Sequence, residues 1–427
     1  MNMREDFLKK HGLRATDFDM QQLVDVFISE MANGLEGKNS SLRMIPTYIE
    51  ADNEFKTEVP VLAIDAGGTN IRAARVTFSK DGNLDISHMV HAPMPGLERQ
   101  VSKAEFFQIV AGYIQDLAAE SERIGFCFSY PTEIYQNKDG KLLQFCKEIK
   151  APEVEGTLIG KNLLEAMGMP DKKIVLLNDT VATLLAGKSS SIDRSYDSYI
   201  GYILGTGTNT CYIESNRNLL KMNDLDPDQS QIINVESGNF AKAPRTLLDI
   251  SFDHTTADPG SYTFEKMISG GYFGGLCLTV LQTAANEGVF SEESAGSIRS
   301  VHDLTVEQVN RFISQAADQS NPLFNAMKSK GDRSICREII EGLIDRSAKL
   351  VAANLAAVLL KTNKGRSADH PVLITIEGTT FYKLLHLKPL FEKYLQAYLH
   401  GRMQRHYAFN QVENSSLVGA ALAALIE

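Results

Sequence analysis

The sequence predicts a mixed α/β protein built as two lobes that face one another across a cleft. Three observations carry this. Strand-like and helix-like segments alternate along the chain. The pattern strand, glycine-threonine turn, strand occurs twice, in 61–78 and 199–214, about 135 residues apart. The 427 residues exceed what one hydrophobic core usually organises. Two matched hairpins facing each other would give a cleft with a glycine turn on each wall.

The elements follow in order. Met20, Leu23, Val24, Phe27 and Met31 share one face, so 17–34 predicts a helix that Gly34 ends. A polar stretch, 51–58, precedes the first strand signal, VLAID at 61–65. AGGTN and IRAARVTF follow it, completing a hairpin. Ser102 opens S-K-A-E, the signature of a capping box, ahead of Phe106, Phe107, Val110, Tyr113, Ile114 and Leu117 at helical spacing. IGFCFS at 124–129 predicts a strand stopped by Tyr130-Pro131. A helix is expected at 161–168 and a short buried strand at 174–177. That strand ends at Asn178-Asp179, and 180–186 begins another helix. YIGYIL, GTGTN and TCYIE repeat the hairpin. Helices are expected at 263–285 and 334–361, a strand running into a turn at PVLITIEG, and a small-residue helix at SSLVGAALAALIE.

Bulk properties narrow the function classes. The net charge of -10 disfavours sequence-independent nucleic-acid binding, which needs a basic surface. Cys127, Cys146, Cys211, Cys277 and Cys336 form neither a CxxC nor a Cys/His cluster, so a structural zinc site is not expected. Free thiols in a reducing, cytoplasmic setting are. MNMREDFLKK does not read as a signal peptide. LVAANLAAVLL at 350–360 is too short to span a bilayer, so no membrane partner is expected.

The first turn, in AIDAGGTNIR, has the chemistry of an anion cradle. Gly67 and Gly68 remove side chains where backbone must approach a phosphate. The N–H groups of Thr69 and Asn70 can join theirs. Arg72 adds fixed positive charge, and Asp65 adds a carboxylate for a magnesium ion held through water. Gly205, Thr206, Gly207 and Thr208 can do the same from the opposite wall. One glycine turn alone would read as an ordinary hairpin tip; two matched turns with an Asp before one favour phosphate binding. Neither is a P-loop, and no GxGxxG motif is met.

Asp179 stands where a strand meets a helix. A lone Asn-Asp-Thr reads first as a helix cap. With phosphate turns nearby it can also serve as a base, because phosphoryl transfer has a loose transition state that asks for positioning more than basicity. Polar residues suited to sugar hydroxyls recur in apolar or glycine-bounded settings: Ser129, Asn209, Glu236 and Glu265. Spacing alone does not gather them.

Taken together these segments resemble the hexokinase family, most closely the fungal-type sugar kinases, from about residue 41 onward. LAIDAGGTNIRAARV resembles the first phosphate motif and ILGTGTNTCYIE the second. FCFSYP, LLNDTVATLLAG, INVESGNF and DPGSYTFEKMISGGYFG resemble the sugar segments. LITIEGTTFYKL resembles the adenosine segment. The resemblance implies an actin-like, ribonuclease H-like fold, with 59–180 as a small lobe completed by the C-terminal helix 415–427. It leaves 1–58 and 181–414 to the large lobe.

It also implies an ATP-dependent, magnesium-requiring hexokinase, with glucose the first candidate sugar and its 6-hydroxyl the acceptor. Asp179 matches the catalytic base. Ser129, Lys147, Asn178, Asn209, Glu236 and Glu265 match sugar-holding positions. Asp65, Gly67, Gly68, Thr69, Asn70 and Arg72 match the first phosphate turn, and Gly205, Thr206, Gly207 and Thr208 the second. Gly378 and Thr379 match the adenosine segment, and Ser416 a residue near the nucleotide phosphates. A monomer or homodimer is implied.

Some positions depart from the family pattern. Phe145-Cys146-Lys147-Glu148 stands for Trp-Thr-Lys-Gly. Ser237 replaces a Trp, and Tyr262 stands where a Gln is usual. Glu377 replaces an Asp, and Leu417 and Val418 replace a Gly and a basic residue. These leave the preferred hexose open. They also keep two other readings in view: a non-catalytic sugar sensor of the same fold, and a kinase for a hexose other than glucose.

Overall fold

A computed structural model of the chain describes residues 3–50, 55–145, 149–190, 194–314 and 318–426. Two sheets organise it. The strands are β1 (Ile45–Pro46), β2 (Val61–Gly67), β3 (Asn70–Phe78), β4 (Leu84–Pro93), β5 (Arg123–Phe128), β6 (Thr132–Ile134), β7 (Gly140–Leu142), β8 (Lys173–Leu177), β9 (Ser198–Leu204), β10 (Thr208–Ser215), β11 (Ser230–Asn234), β12 (Val372–Glu377) and β13 (Tyr407–Asn410). One sheet has the order β4-β3-β2-β5-β8 and the other β1-β11-β10-β9-β12-β13.

Apart from β1, the two sheets have the same topology. In each, three antiparallel strands come first, then two parallel strands reached through helices. The repetition legible as two hairpins therefore extends to a five-strand unit. The third strand of the first unit, β4, escapes the sequence pattern. It lies on an exposed edge, so its residues carry no run of buried positions.

After its last strand each unit ends in a helix, Asp179–Ser189 in the first and Ser415–Leu425 in the second. These helices cross over. Ser415–Leu425 packs on β2, β5 and β8, while Asp179–Ser189 packs on β9, β10 and β12, and the two pack on each other. Small residues permit this. A Cβ on Gly419 would lie 2.0 Å from the Ala182 carbonyl oxygen, and one on Gly125 only 1.8 Å from that of Ala420. Both approaches exclude any side chain. The apolar residues Val181, Leu184, Leu185, Leu417, Val418, Leu422 and Leu425 fill a core between the sheets.

The larger lobe is organised by the long helix Lys330–Thr362, whose buried face spans most of its length. The buried Arg346 makes a two-pronged bond to Asp249, at 2.9 and 2.8 Å, which satisfies a charge that would otherwise be costly to bury.

Several boundaries differ from expectation for local reasons. The first predicted helix runs Met20–Leu35 with Asp19 as its cap. Gly34 does not end it; a Cβ there would lie 2.5 Å from the Leu42 carbonyl oxygen, so Gly34 makes room for the returning chain. A further helix, Met3–Lys10, precedes it. Ser102 does cap Lys103–Ala119, accepting from Glu105 N–H at 3.2 Å, but the Glu105 carboxylate turns to Arg99 rather than closing a capping box. The expected helix 263–285 is broken at Ser269, which is extended, into Glu265–Ile268 and Gly270–Asn286.

Candidate functional site

The site forms where the ends of β2, β5, β8, β9 and β10 meet. Asn178 closes β8, and its side chain accepts from Thr180 N–H at 2.9 Å, so Asn178 is the helix cap. Asp179 is thereby the first helical residue, with Oδ1 also accepting from Thr180 N–H at 2.9 Å. The cap reading of the Asn-Asp pair was right for the wrong residue.

Across the cleft, Asn209 on β10 is a hub. Its Nδ2 donates to Asn234 Oδ1 at 2.7 Å, to Asn178 Oδ1 at 3.3 Å and toward Glu236 Oε1 at 3.4 Å. Its Oδ1 accepts from Thr210 N–H at 2.7 Å and Ser237 N–H at 3.3 Å. Asn234 Nδ2 donates to Glu236 Oε1 at 2.9 Å. Glu236 itself adopts a left-handed backbone, φ 59. Asn234 is a residue that sequence reasoning missed. Its approach to Glu236 depends on the left-handed turn that follows β11, which no periodic pattern in the sequence marks.

Glu265, at the start of its short helix, accepts from Thr208 N–H at 2.8 Å. Lys266 beside it is buried and anchored on Asp253 Oδ1 at 2.7 Å. That bond fixes the helix and so the direction of Glu265. The departure at Ser237 is absorbed locally: its hydroxyl lies 3.0 Å from Thr210 Oγ1, to which Asn354 Nδ2 donates at 2.8 Å.

Electrostatics set these carboxyls apart. Burial, then the charge of Asp65, pushes Asp179 up to about 6, with Glu236 adding to the rise and the Thr180 N–H and Ser129 hydroxyl opposing it. Burial pushes Glu265 up to about 7, helped by the charges of Glu236 and Asp258 and opposed by the Thr208 N–H. Burial also raises Glu236. The cleft floor thus holds two carboxyls, Asp179 and Glu265, raised toward neutrality, with Glu236 raised beside them.

The first turn is a two-residue hairpin tip, Gly68-Thr69, between the paired residues Gly67 and Asn70. Gly68 sits at φ +59, where a Cβ would strain the chain. Asp65 and Arg72 are register partners, and Arg72 Nε donates to Asp65 Oδ2 at 3.0 Å. The second turn, Gly205-Thr206-Gly207, closes β9 onto β10. Its carbonyls are tied down: Gly205 O accepts from Gly270 N–H at 2.8 Å and Thr380 Oγ1 at 2.8 Å, and Thr206 O accepts from Gly271 N–H at 2.9 Å. Thr380 was not expected from sequence.

Gly378, at φ +114, leans on this turn, and a Cβ there would lie 2.3 Å from the Leu204 carbonyl. Thr379 follows it, exposed. Burial raises the Glu377 carboxyl just before this turn, and Ser416 is half-buried in the first turn of the C-terminal helix. Lys147, with Cys146 and Glu148, lies outside the described residues.

Of the residues named from sequence, the structure brings together Asn178, Asp179, Asn209 and Glu236, sets Glu265 on Thr208, and places Asp65 with its partner Arg72 near Asp179. Among the described residues, no three His, Cys, Asp or Glu side chains form a metal cage. None of their helices is long and apolar enough to cross a membrane. A carboxyl-lined cleft with a backbone turn on each wall is the framework of a sugar kinase.

Comparison with known proteins makes the assignment particular. Two family models, both described as Hexokinase, match residues 6–189 and 199–426. The chain is 27% identical to hexokinase-1 of Schizosaccharomyces pombe, over 96% of this chain and 87% of that one. It is 27% identical to hexokinase-1 of Nicotiana tabacum, over 99% and 90%. It is 30% identical to hexokinase-3 of Mus musculus, over 93% of this chain but 44% of that longer protein. The fold matches a hexokinase from Schistosoma mansoni complexed with glucose, with a TM-score of 0.81 at 22% identity, over 99% of this chain and 98% of that one. The chain belongs to the hexokinase family.

Proposed function

We propose that this sugar kinase transfers the terminal phosphoryl group of ATP to the 6-hydroxyl of a hexose, glucose first among the candidates, with Asp179 as general base. The observation that carries this reading is the position of Asp179. It stands at a helix start, beside the Asn209 network and near Asp65, with its pKa pushed up to about 6. A base of that strength is ionised at neutral pH yet accepts a proton more readily than an ordinary carboxylate. The small lobe would comprise 59–180 with the C-terminal helix, and the large lobe the remainder.

In this reading the sugar hydroxyls exchange hydrogen bonds with Asn178, Asn209, Glu236 and Glu265, and with Ser129 and Lys147. Donors and acceptors in pairs discriminate a ring of hydroxyls, because a mismatched sugar leaves buried polar groups unpaired. Closure around the sugar excludes water and limits ATP hydrolysis. The attacking oxygen loses its proton to Asp179 late in the transfer. N–H groups of Gly67, Gly68, Thr69 and Asn70 on one wall, and of Thr206 and Gly207 on the other, hold the phosphates, while the Gly205 and Thr208 N–H groups brace the second turn by donating to the Gly207 carbonyl and to Glu265. Arg72 adds charge, Gly378 and Thr379 flank the adenosine, and Ser416 lies toward the phosphates.

Magnesium fits this site through Asp65. Its carboxylate, bonded through Oδ2 by Arg72, would hold the ion through a water. When bound, the ion neutralises charge on the transferring group. The free, buried Cys127, Cys211, Cys277 and Cys336 support a reducing, cytoplasmic location.

The experiment is ADP release from MgATP against a panel of hexoses. Hexose-dependent release, with the product phosphorylated at carbon 6, is expected. Release that no hexose stimulates would overturn the reading.

A further inference from the structure

Tyr130 follows Ser129 just past the end of β5, in the segment FCFSYP. The ring is 3% exposed, packs edge-on against Phe145, with centroids 5.1 Å apart at 83°, and lies tilted against Phe128 at 4.9 Å. A phenylalanine would make these contacts equally well. The hydroxyl does something the ring cannot: it donates to the Gly68 carbonyl at 2.5 Å.

That carbonyl belongs to the central peptide of the first turn. A trans peptide is planar, with C=O and N–H pointing oppositely. Holding the Gly68 carbonyl against Tyr130 therefore turns the Thr69 N–H away from Tyr130. The next carbonyl, Thr69 O, accepts from Met94 N–H at 2.9 Å. Two successive carbonyls are thus anchored on the body of the small lobe. The tip otherwise stands in open space, since a Cβ on Gly68 would meet nothing within 4 Å. Central peptides of two-residue turns can flip between turn types, and an unanchored glycine tip is free to do so.

We infer that Tyr130 is a positioning residue, whose hydroxyl holds the central peptide of the first turn in the orientation that receives the nucleotide phosphates. It acts through Gly68 and Thr69 and couples the segment carrying Ser129 to the phosphate turn. The inference rests on the reading of Gly67–Asn70 as a phosphate turn.

The test is Tyr130→Phe, which removes one oxygen and keeps the ring. The expected result is a kcat/KM for MgATP lower by roughly threefold to tenfold, the range of one hydrogen bond. The hexose KM and melting temperature should stay unchanged. An unchanged kcat/KM for MgATP would overturn the inference. So would an equal loss for hexose and nucleotide, or a loss that tracks a lower melting temperature, since each marks a general structural role. The turn reading is tested separately in the unsubstituted chain. Amide resonances of Gly67, Gly68 and Thr69 should shift when the magnesium complex of adenosine 5′-(β,γ-imido)triphosphate is added. Shifts at these amides with an unaffected Tyr130→Phe variant would sink the role of Tyr130 alone. No shifts would sink the turn reading and the inference with it.

Discussion

Asn209 Nδ2 lies 3.3 Å from Asn178 Oδ1, so a side chain of the large-lobe sheet bonds the residue that directly precedes Asp179. The same Asn178 oxygen caps the helix that Asp179 begins, at 2.9 Å from Thr180 N–H. The hub of the polar network and the carboxylate beside it are therefore held by a common neighbour.

Removing the hub should weaken sugar binding more than chemistry. In Asn209→Ala, the Thr210 N–H loses its side-chain acceptor, and Asn234 Oδ1 keeps only the longer bond from Glu236 N–H at 3.3 Å. Leaving buried polar groups unpaired costs about 1–3 kcal/mol, so the hexose KM is expected to rise roughly tenfold to a hundredfold. The fall in kcat should be smaller. Steady-state kinetics with titration calorimetry of the sugar would check this; an unchanged hexose affinity would place the sugar elsewhere.

Asp179→Asn should lower kcat by about two to four orders of magnitude, the usual contribution of a general base. Hexose binding should survive, because the amide keeps an oxygen for the Thr180 N–H. Phosphoryl transfer at near-normal rates in this variant would refute the role of Asp179 as base.

The pH profile follows from the same carboxyl. Asp179 must be ionised to accept a proton, so kcat/KM is expected to fall as pH drops through about 6. Its folded pKa lies above the ordinary aspartate value of 3.8, so the folded state binds more protons between those values. Stability without ligands should then decline as pH rises from about 4 to about 6. Asp179→Asn abolishes this cost. It should stabilise the ligand-free protein by about 1–3 kcal/mol at pH 7.5 and hardly at all at pH 4. Denaturant titration at both pH values reads the difference, and equal effects at both would contradict the shift.

Packing of the two central helices makes a contrasting pair of predictions. Gly419→Val drives atoms into the Ala182 backbone, where even a Cβ would be at 2.0 Å, and should cost about 2–4 kcal/mol. Gly112, exposed on the helix Lys103–Ala119, would place a Cβ against nothing within 4 Å. Gly112→Ala should stabilise by about 0.4–1 kcal/mol through helix propensity and unfolded-chain entropy. Thermal denaturation of both variants checks the pair; opposite signs are required.

Much was legible in the linear chain. Alternating apolar strands, two glycine-threonine turns and the small-residue terminal helix determine the α/β class and its internal repetition, because periodicity and turn chemistry are local properties. The order of motifs determines the family and names Asn178, Asp179, Asn209 and Glu236, which the structure brings together. What the chain did not reveal depends on contacts between distant segments. Asn178 rather than Asp179 caps its helix; Asn234 and Thr380 join the site. The carboxyl of Asp179 rises to about 6 chiefly because folding buries it beside Asp65, 114 positions away in the numbering. Desolvation and through-space charge exist only once the sheets face each other, so only the tertiary structure could decide them.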